Sequence, residues 1–150
     1  VSDYILIEFP FNSYKDEYDE ILYELSLKYR IVIAHPERYH YVQEDPNFCL
    51  RWLKEGYLLQ SNQNCLFKKE TKRVLFSMIE HGFVSFIASD AHNEYRPLIL
   101  KEAHDLLEEE FGMRVAKQLT EENPGKLVVN EEIQVEYQEI EKKKKRFLWF

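Results

Sequence analysis

A chain of 150 residues has the length of one domain and can bury a core. Its 45% hydrophobic and 15% aromatic content excludes a disordered chain, and no apolar run approaches the roughly 18–20 residues of a membrane span, nor is there a signal-peptide pattern. Residues 141–150 carry a net +4 within a total of −7, which leaves −11 on residues 1–140; such a body excludes non-specific nucleic-acid binding, which needs clustered Lys and Arg, and it tolerates divalent cations.

A strand begins almost at once after Val1, with no initiator Met and no N-terminal cap, as in the excised C-terminal part of a longer protein. The run Tyr4–Phe9 predicts the first strand. Over Tyr14–Tyr29, Tyr18, Ile21, Leu22, Leu25 and Tyr29 recur at spacings of three and four, one face of a helix. Ile31–Ala34 predicts the second strand. Asp45 and Pro46 then read as the cap and first position of a helix closed by Gly56. Tyr57–Ser61 is the third strand, Lys69–His81 a helix closed by Gly82, and Val84–Ala88 the fourth strand. Pro97 opens a helix ending near Gly112, and another covers Met113–Glu121. The turn Asn123–Gly125 precedes a short last strand, Leu127–Val129. Strands alternating with helices predict an α/β chain with a parallel sheet and right-handed crossovers. Four strands cannot close a barrel of the usual size; they form part of one, or a small open sheet. Cys49 and Cys65 make neither a CxxC pair nor a disulfide framework, which suits a reducing, cytoplasmic setting.

The polar residues at the strand ends carry the chemistry. Glu8 lies inside an apolar strand, which is costly for a carboxylate unless it is paired, bound to metal, or facing water from an edge strand. His35 follows Ile31–Ala34, and Pro36 stops that strand and fixes the backbone beside His35 and Arg38. Asp90 and His92 follow Val84–Ala88 and are two apart, so an extended chain points them the same way. Arg96, further on, offers a fork suited to a phosphoryl group. Each motif has a plain structural reading as well: a solvated loop at His35 and Arg38, or a helix cap at Asp90. Their common placement at strand C-termini, where parallel α/β proteins build their sites, favours a di- or trinuclear hydrolytic metal centre. His40 suits a loop-orienting role, and His81 and His104 suit helix positions. Neither cysteine is followed by the five-residue loop and Arg of a thiol phosphatase.

With these residues on the page, the chain resembles the PHP (polymerase and histidinol phosphatase) superfamily, and within it the bacterial capsule-biosynthesis tyrosine-phosphatase branch. The motifs that carry the resemblance are LIEFP at 6–10, AHPERY at 34–39, Gln60 with Asn62, ASDAH at 88–92 with Arg96, the EENP turn at 121–124, and the basic-aromatic tail. The resemblance implies the C-terminal portion of a distorted (β/α)7 PHP barrel over residues 1–140, followed by a basic-aromatic tail at 141–150. It implies a divalent metal cluster, manganese with iron or zinc as alternatives, held by Glu8, His35, Asp90 and His92. Arg38 and Arg96 grip the phosphate, and metal-activated water hydrolyses phosphotyrosine on a protein, without a phosphoenzyme. The implied partner is a membrane-associated tyrosine kinase of capsule or exopolysaccharide export, which places the protein in the cytoplasm at the inner face of the membrane. The family's first strands carry a His-x-His pair and further ligands that this chain lacks, and the stretch Asn62–Lys69 departs from the family's Ser and Gly pattern. The isolated chain is therefore expected to be a weak phosphatase, and to self-associate through unpaired strand edges. The tail, with five cations followed by Phe147–Phe150, suits a membrane-surface contact. Another PHP phosphoesterase, such as a histidinol-phosphatase, and a catalytically inactive PHP-like interaction module are the alternative readings.

Overall fold

The computed structural model describes residues 2–92 and 100–142. Its centre is a parallel sheet of four strands in sequential order: β1 (Tyr4–Ile7), β2 (Arg30–Ala34), β3 (Leu58–Asn62) and β4 (Phe86–Ala88). The crossovers hold α1 (Glu17–Ser26), α2 (His40–Glu44), α3 (Leu50–Leu53) and α4 (Lys69–Glu80). After β4 come α5 (Lys101–Phe111), α6 (Met113–Lys117) and α7 (Asn123–Val128). The alternation expected from the sequence is therefore present, with shorter elements. The first strand ends at Ile7, so Glu8 lies just beyond it, and the fourth starts at Phe86.

Period-two alternation gives the sheet two apolar faces. Ile31, Ile33, Leu59 and Ile87 join the large core under the helices, with Ile5 and Ile7 packed against it. Val32, Leu58 and Phe86 point the other way and meet Ile133. On that second face Leu6, the register partner of Val32, is 58% exposed. The helical face of α1 is Tyr18, Leu22 and Leu25; Ile21 and Tyr29, expected on it, are exposed.

Two other expectations are corrected. The helix foreseen from Asp45 to Gly56 is a 3-10 turn, Pro46–Cys49, followed by the single turn α3; Asp45 does cap it, its side chain accepting from the Asn47 N–H. Leu127–Val129 is not a strand. The chain runs from α6 through a π turn at Gln118–Glu122 into α7. Pro124 cannot donate to the residue four before it, and the helix widens just ahead of it. Val128 and Val129 stay exposed, while Leu127 packs against the second face of the sheet. Asn130, at φ 61°, ends this helix and becomes a hub at the foot of the sheet. Its side chain exchanges hydrogen bonds with Asp3, and its carbonyl accepts from Arg30.

Two features hold the strand ends and the C-terminal segment in place. Tyr39, fully buried, donates its hydroxyl to the Ala34 carbonyl at 2.7 Å and accepts the Phe9 N–H at 3.0 Å. It thereby ties the chain leaving β1 to the chain leaving β2, within a nest of Phe9, Phe11, Tyr41 and Trp52 rings. Residues 131–142 form an extended strap without regular structure. The Gln138 N–H donates to His81, and Asn47 pairs its amide reciprocally with the main chain of Ile140. The strap crosses directly over Gly82, whose φ is +76° and where a Cβ would overlap the Glu136 carbonyl oxygen.

Tyr39→Phe leaves a buried N–H and a buried carbonyl without partners, and should cost about 1–3 kcal/mol in denaturant unfolding. Gly82→Ala combines a left-handed backbone with the overlap at Glu136 and should cost more than about 1 kcal/mol. A thermal melt checks the second, with a drop of at least about 2–4 °C expected for a chain of this size.

Candidate metal centre

All the candidate residues described lie just past the C-terminal ends of the strands. Glu8 follows β1, with its side chain 59% exposed, and its Oε2 lies 3.5 Å from His35 Nε2. His35 follows β2 and is almost fully buried. Its N–H continues the ladder to Gln60 at 2.6 Å, and then the chain breaks into a left-handed φ of 35°. Phe11 and Tyr39 stand edge-on to its ring. Burial holds His35 below the ordinary histidine pKa; Glu8 opposes this, Arg38 reinforces it, and Asp90 opposes it weakly. The imidazole is thus kept neutral, the form that ligates metals. Its Nδ1 is buried without a hydrogen-bond partner in the protein, a costly state unless something else takes the ring.

The 3-10 turn Pro36–Arg38 carries two more charged groups. Glu37 is completely buried, and burial raises its pKa. Its Oε1 accepts the Asn62 N–H at 2.8 Å. Its Oε2 is buried without a hydrogen-bond partner in the protein, and Ser61 and Cys65 near the carboxyl oppose the rise. Arg38 lays its guanidinium over the Phe11 ring, 4.7 Å from the centroid, and places Nη1 3.8 Å from Asp90 Oδ2. A planar fork held this way is suited to an oxyanion.

Asp90 lies two residues past β4 in a left-handed conformation, φ 52°, with its side chain 13% exposed. It accepts at Oδ2 from the Asn62 side-chain amide at 3.0 Å. His92 is exposed and hydrogen-bonds through Nδ1 to the Asp90 main-chain carbonyl at 2.7 Å. Non-glycine residues rarely take positive φ, and two of the three in the described chain are His35 and Asp90. Such strain persists where the surroundings over-determine it, and it gathers at functional sites.

The structure therefore brings Glu8 to His35, and Arg38 and His92 to Asp90. Among the described residues, no group of three or more His, Cys, Asp and Glu is gathered closely enough to hold one ion. The donor chemistry present, carboxylates with a neutral imidazole, fits a divalent transition metal. Arg96 lies outside the described residues. His40 is exposed, and His81 and His104 bond to Ser77 and Thr120 on helices. Burial pushes the Cys49 thiol well up and Cys65 up to about 12, so neither supplies a thiolate at neutral pH. Two residues at the site had no role assigned from sequence: Glu37, whose only signal is a carboxylate inside AHPERY, and Asn62, noticed only as part of a motif.

A family model described as capsular polysaccharide synthesis, CpsB/CapC, matches residues 1–129. Tyrosine-protein phosphatase YwqE of Bacillus subtilis (strain 168) is 36% identical over 98% of this chain and 59% of its own length. Tyrosine-protein phosphatase CpsB of Streptococcus pneumoniae is 30% identical over 87% of this chain and 58% of its own. Crystal structures of YwqE from Bacillus subtilis and CpsB from Streptococcus pneumoniae, described as unique metal-dependent tyrosine phosphatases, include a chain that superposes with a TM-score of 0.85 at 35% identity, over 94% of this chain and 59% of that one. The chain thus spans about three fifths of the length of these relatives. With the match running over most of its residues, it belongs to the CpsB/CapC capsular polysaccharide synthesis family.

Proposed function

We propose that the chain forms the C-terminal portion of a metal-dependent protein-tyrosine phosphatase, in which its four strands are part of a distorted (β/α)7 barrel. The observation that carries this is the placement of Glu8, His35 and Asp90 past the C-terminal ends of β1, β2 and β4, with Glu8 against His35 and Arg38 beside Asp90. Glu8, His35, Asp90 and His92 are the metal ligands in this reading, and Arg38 and Arg96 hold the phosphoryl oxygens; the place of Arg96 rests on sequence alone. A divalent cluster, manganese with iron or zinc as alternatives, supplies Lewis-acid activation and charge neutralisation when bound. The chain's own residues do the rest. Burial keeps His35 neutral and its lone pair available. Phe11 holds the Arg38 guanidinium at the site by a cation–π contact. Asp90, aimed by Asn62, takes a fixed direction. The substrate is phosphotyrosine on a protein, a tyrosine kinase of capsule or exopolysaccharide export at the membrane.

In this reading the remaining ligands come from strands outside the chain, and the exposed Leu6 face and outer edges of β1 and β4 are covered by that part or by self-association. In the full-length protein, Arg38→Ala should lower kcat/KM for a phosphotyrosine peptide by about 100-fold in the presence of manganese. The 150-residue chain alone should show little turnover, because a site with part of its ligands loses affinity. Full activity in that piece, or preference of the complete protein for histidinol phosphate, would contradict the proposal.

A second reading, a catalytically inactive interaction module, is favoured by the absence of a three-donor cluster among the described residues. Metal analysis of the purified full-length protein separates the two, since an inactive module retains no stoichiometric metal.

No helix among the described residues is long and apolar enough to cross a membrane. A membrane contact through residues 142–150 rests on their sequence, since 143–150 lie outside the described residues and Lys142 stands 3.3 Å from Asp45 at the end of the strap. Each cation near an anionic lipid surface contributes about 1 kcal/mol, and the body's negative charge opposes it. Co-sedimentation of the full-length protein with anionic vesicles should fall on deletion of 142–150; equal binding with and without the tail would remove the contact.

A further inference from the structure

We propose that Asn62 is a positioning residue for Asp90, held in place by the buried carboxyl of Glu37, so that the AHPERY turn and the ASDAH turn act as one unit. The inference rests on the reading of Asp90 as a metal ligand.

The argument starts from the ladder. In a regular parallel pairing of β2 and β3, the His35 N–H bonds to Gln60 and the Asn62 N–H bonds back to the His35 carbonyl. The first bond is made. The second is not, because the chain turns at His35 and its carbonyl accepts from the Arg38 N–H instead. The Asn62 N–H, at a buried strand end, is left needing an acceptor. Glu37 Oε1 takes it at 2.8 Å. A side chain from the turn that breaks the ladder thus replaces the carbonyl that the turn removed.

That bond fixes the residue whose side chain faces Asp90. The Asn62 amide is itself over-determined. Its Oδ1 accepts the Asn64 N–H at 2.8 Å, and a main-chain N–H can only donate. The other end of the amide is therefore the NH2 group, and it points at Asp90 Oδ2 at 3.0 Å. Of the two contacts described at Oδ2, Asn62 lies within hydrogen-bond range, whereas Arg38 stands at 3.8 Å, an ion-pair separation. Asn62 orients the carboxylate through a directional bond, and Arg38 adds charge. Partners of this kind, which orient a ligand without touching the ion, typically change metal affinity by 10–100-fold.

The experiment is manganese titration of the full-length protein by calorimetry, with metal-free thermal melts as the control for folding. Asn62→Ala should weaken manganese binding about 10–100-fold, with the chain still folded and the metal-free melt lowered only by the lost bond to the Asn64 N–H. Glu37→Ala should give a similar loss, and Glu37→Gln, which keeps an oxygen for the Asn62 N–H, should restore binding to within about threefold of wild type. The double variant Asn62→Ala with Glu37→Ala should lose no more than the larger single effect, as expected for residues acting in series. Asp90→Ala separates the two levels of the argument. If Asp90→Ala loses the metal and Asn62→Ala does not, the positioning role is overturned while the metal site stands. If Asp90→Ala binds manganese like wild type, the metal reading fails and this inference with it. Should Glu37→Ala not fold, Asn62→Ala alone decides.

Discussion

The parallel register is the constraint on which the rest of the molecule depends. Ile7 pairs with Ile33, Ala34 with Gln60, and Asn62 with Ala88, so the strand ends rise in steps across the sheet, with β3 and β4 reaching furthest. Because the strands run parallel, every chain that leaves the sheet at that end leaves on the same side. Apolar side chains inside the sheet hold the register on both faces: a one-residue slip would move Ile31 and Ile33 out of the helix-covered core. What looks like a local collection of polar residues is thus fixed by burial several residues back along each strand.

The strand ends are also where regular structure gives way. His35 and Asp90 both leave the sheet through left-handed conformations, and the groups around them repair what the ladder loses. Tyr39 closes the gap between the first two strand ends, and Glu37 closes the one between the second and third. Aromatic rings pack behind these polar contacts, keeping water from the repaired bonds and from the His35 ring. In a body of net charge −11 on residues 1–140, this arrangement brings the cation Arg38 beside Asp90.

Much of this was legible in the sequence. The short β-branched runs, each followed by a turn signal, mark the strands because a parallel sheet buried on both faces needs that composition. Glu8, His35 and Asp90 stand out as charged or titratable groups close behind such runs, and the structure sets Glu8 against His35 and Asp90 beside Arg38. What was not legible depends on contacts distant in sequence. The pairing of Glu37 with Asn62 spans 25 residues and exists only because the ladder fails at His35. Leu127–Val129 has strand composition, but the helix entering from α6 continues through Pro124 and takes Leu127 and Val128 into its last turn. The strap carries an alternating pattern in Ile133, Val135 and Tyr137 and packs with that period, yet it pairs with no strand. Alternation reports a two-sided environment and says nothing of who supplies the second side.

That strap bears on the order in which the chain acquires its structure. The strands and crossover helices are joined by contacts a few tens of residues apart, whereas the Asn47–Ile140 clamp closes 93 residues and the Asp3–Asn130 pair closes 127. Loops of that length are entropically the most expensive to close and return little until the surface they land on exists. The sheet with its helices therefore forms the template, and the strap is laid over Gly82 afterwards, as a latch on a structure already built.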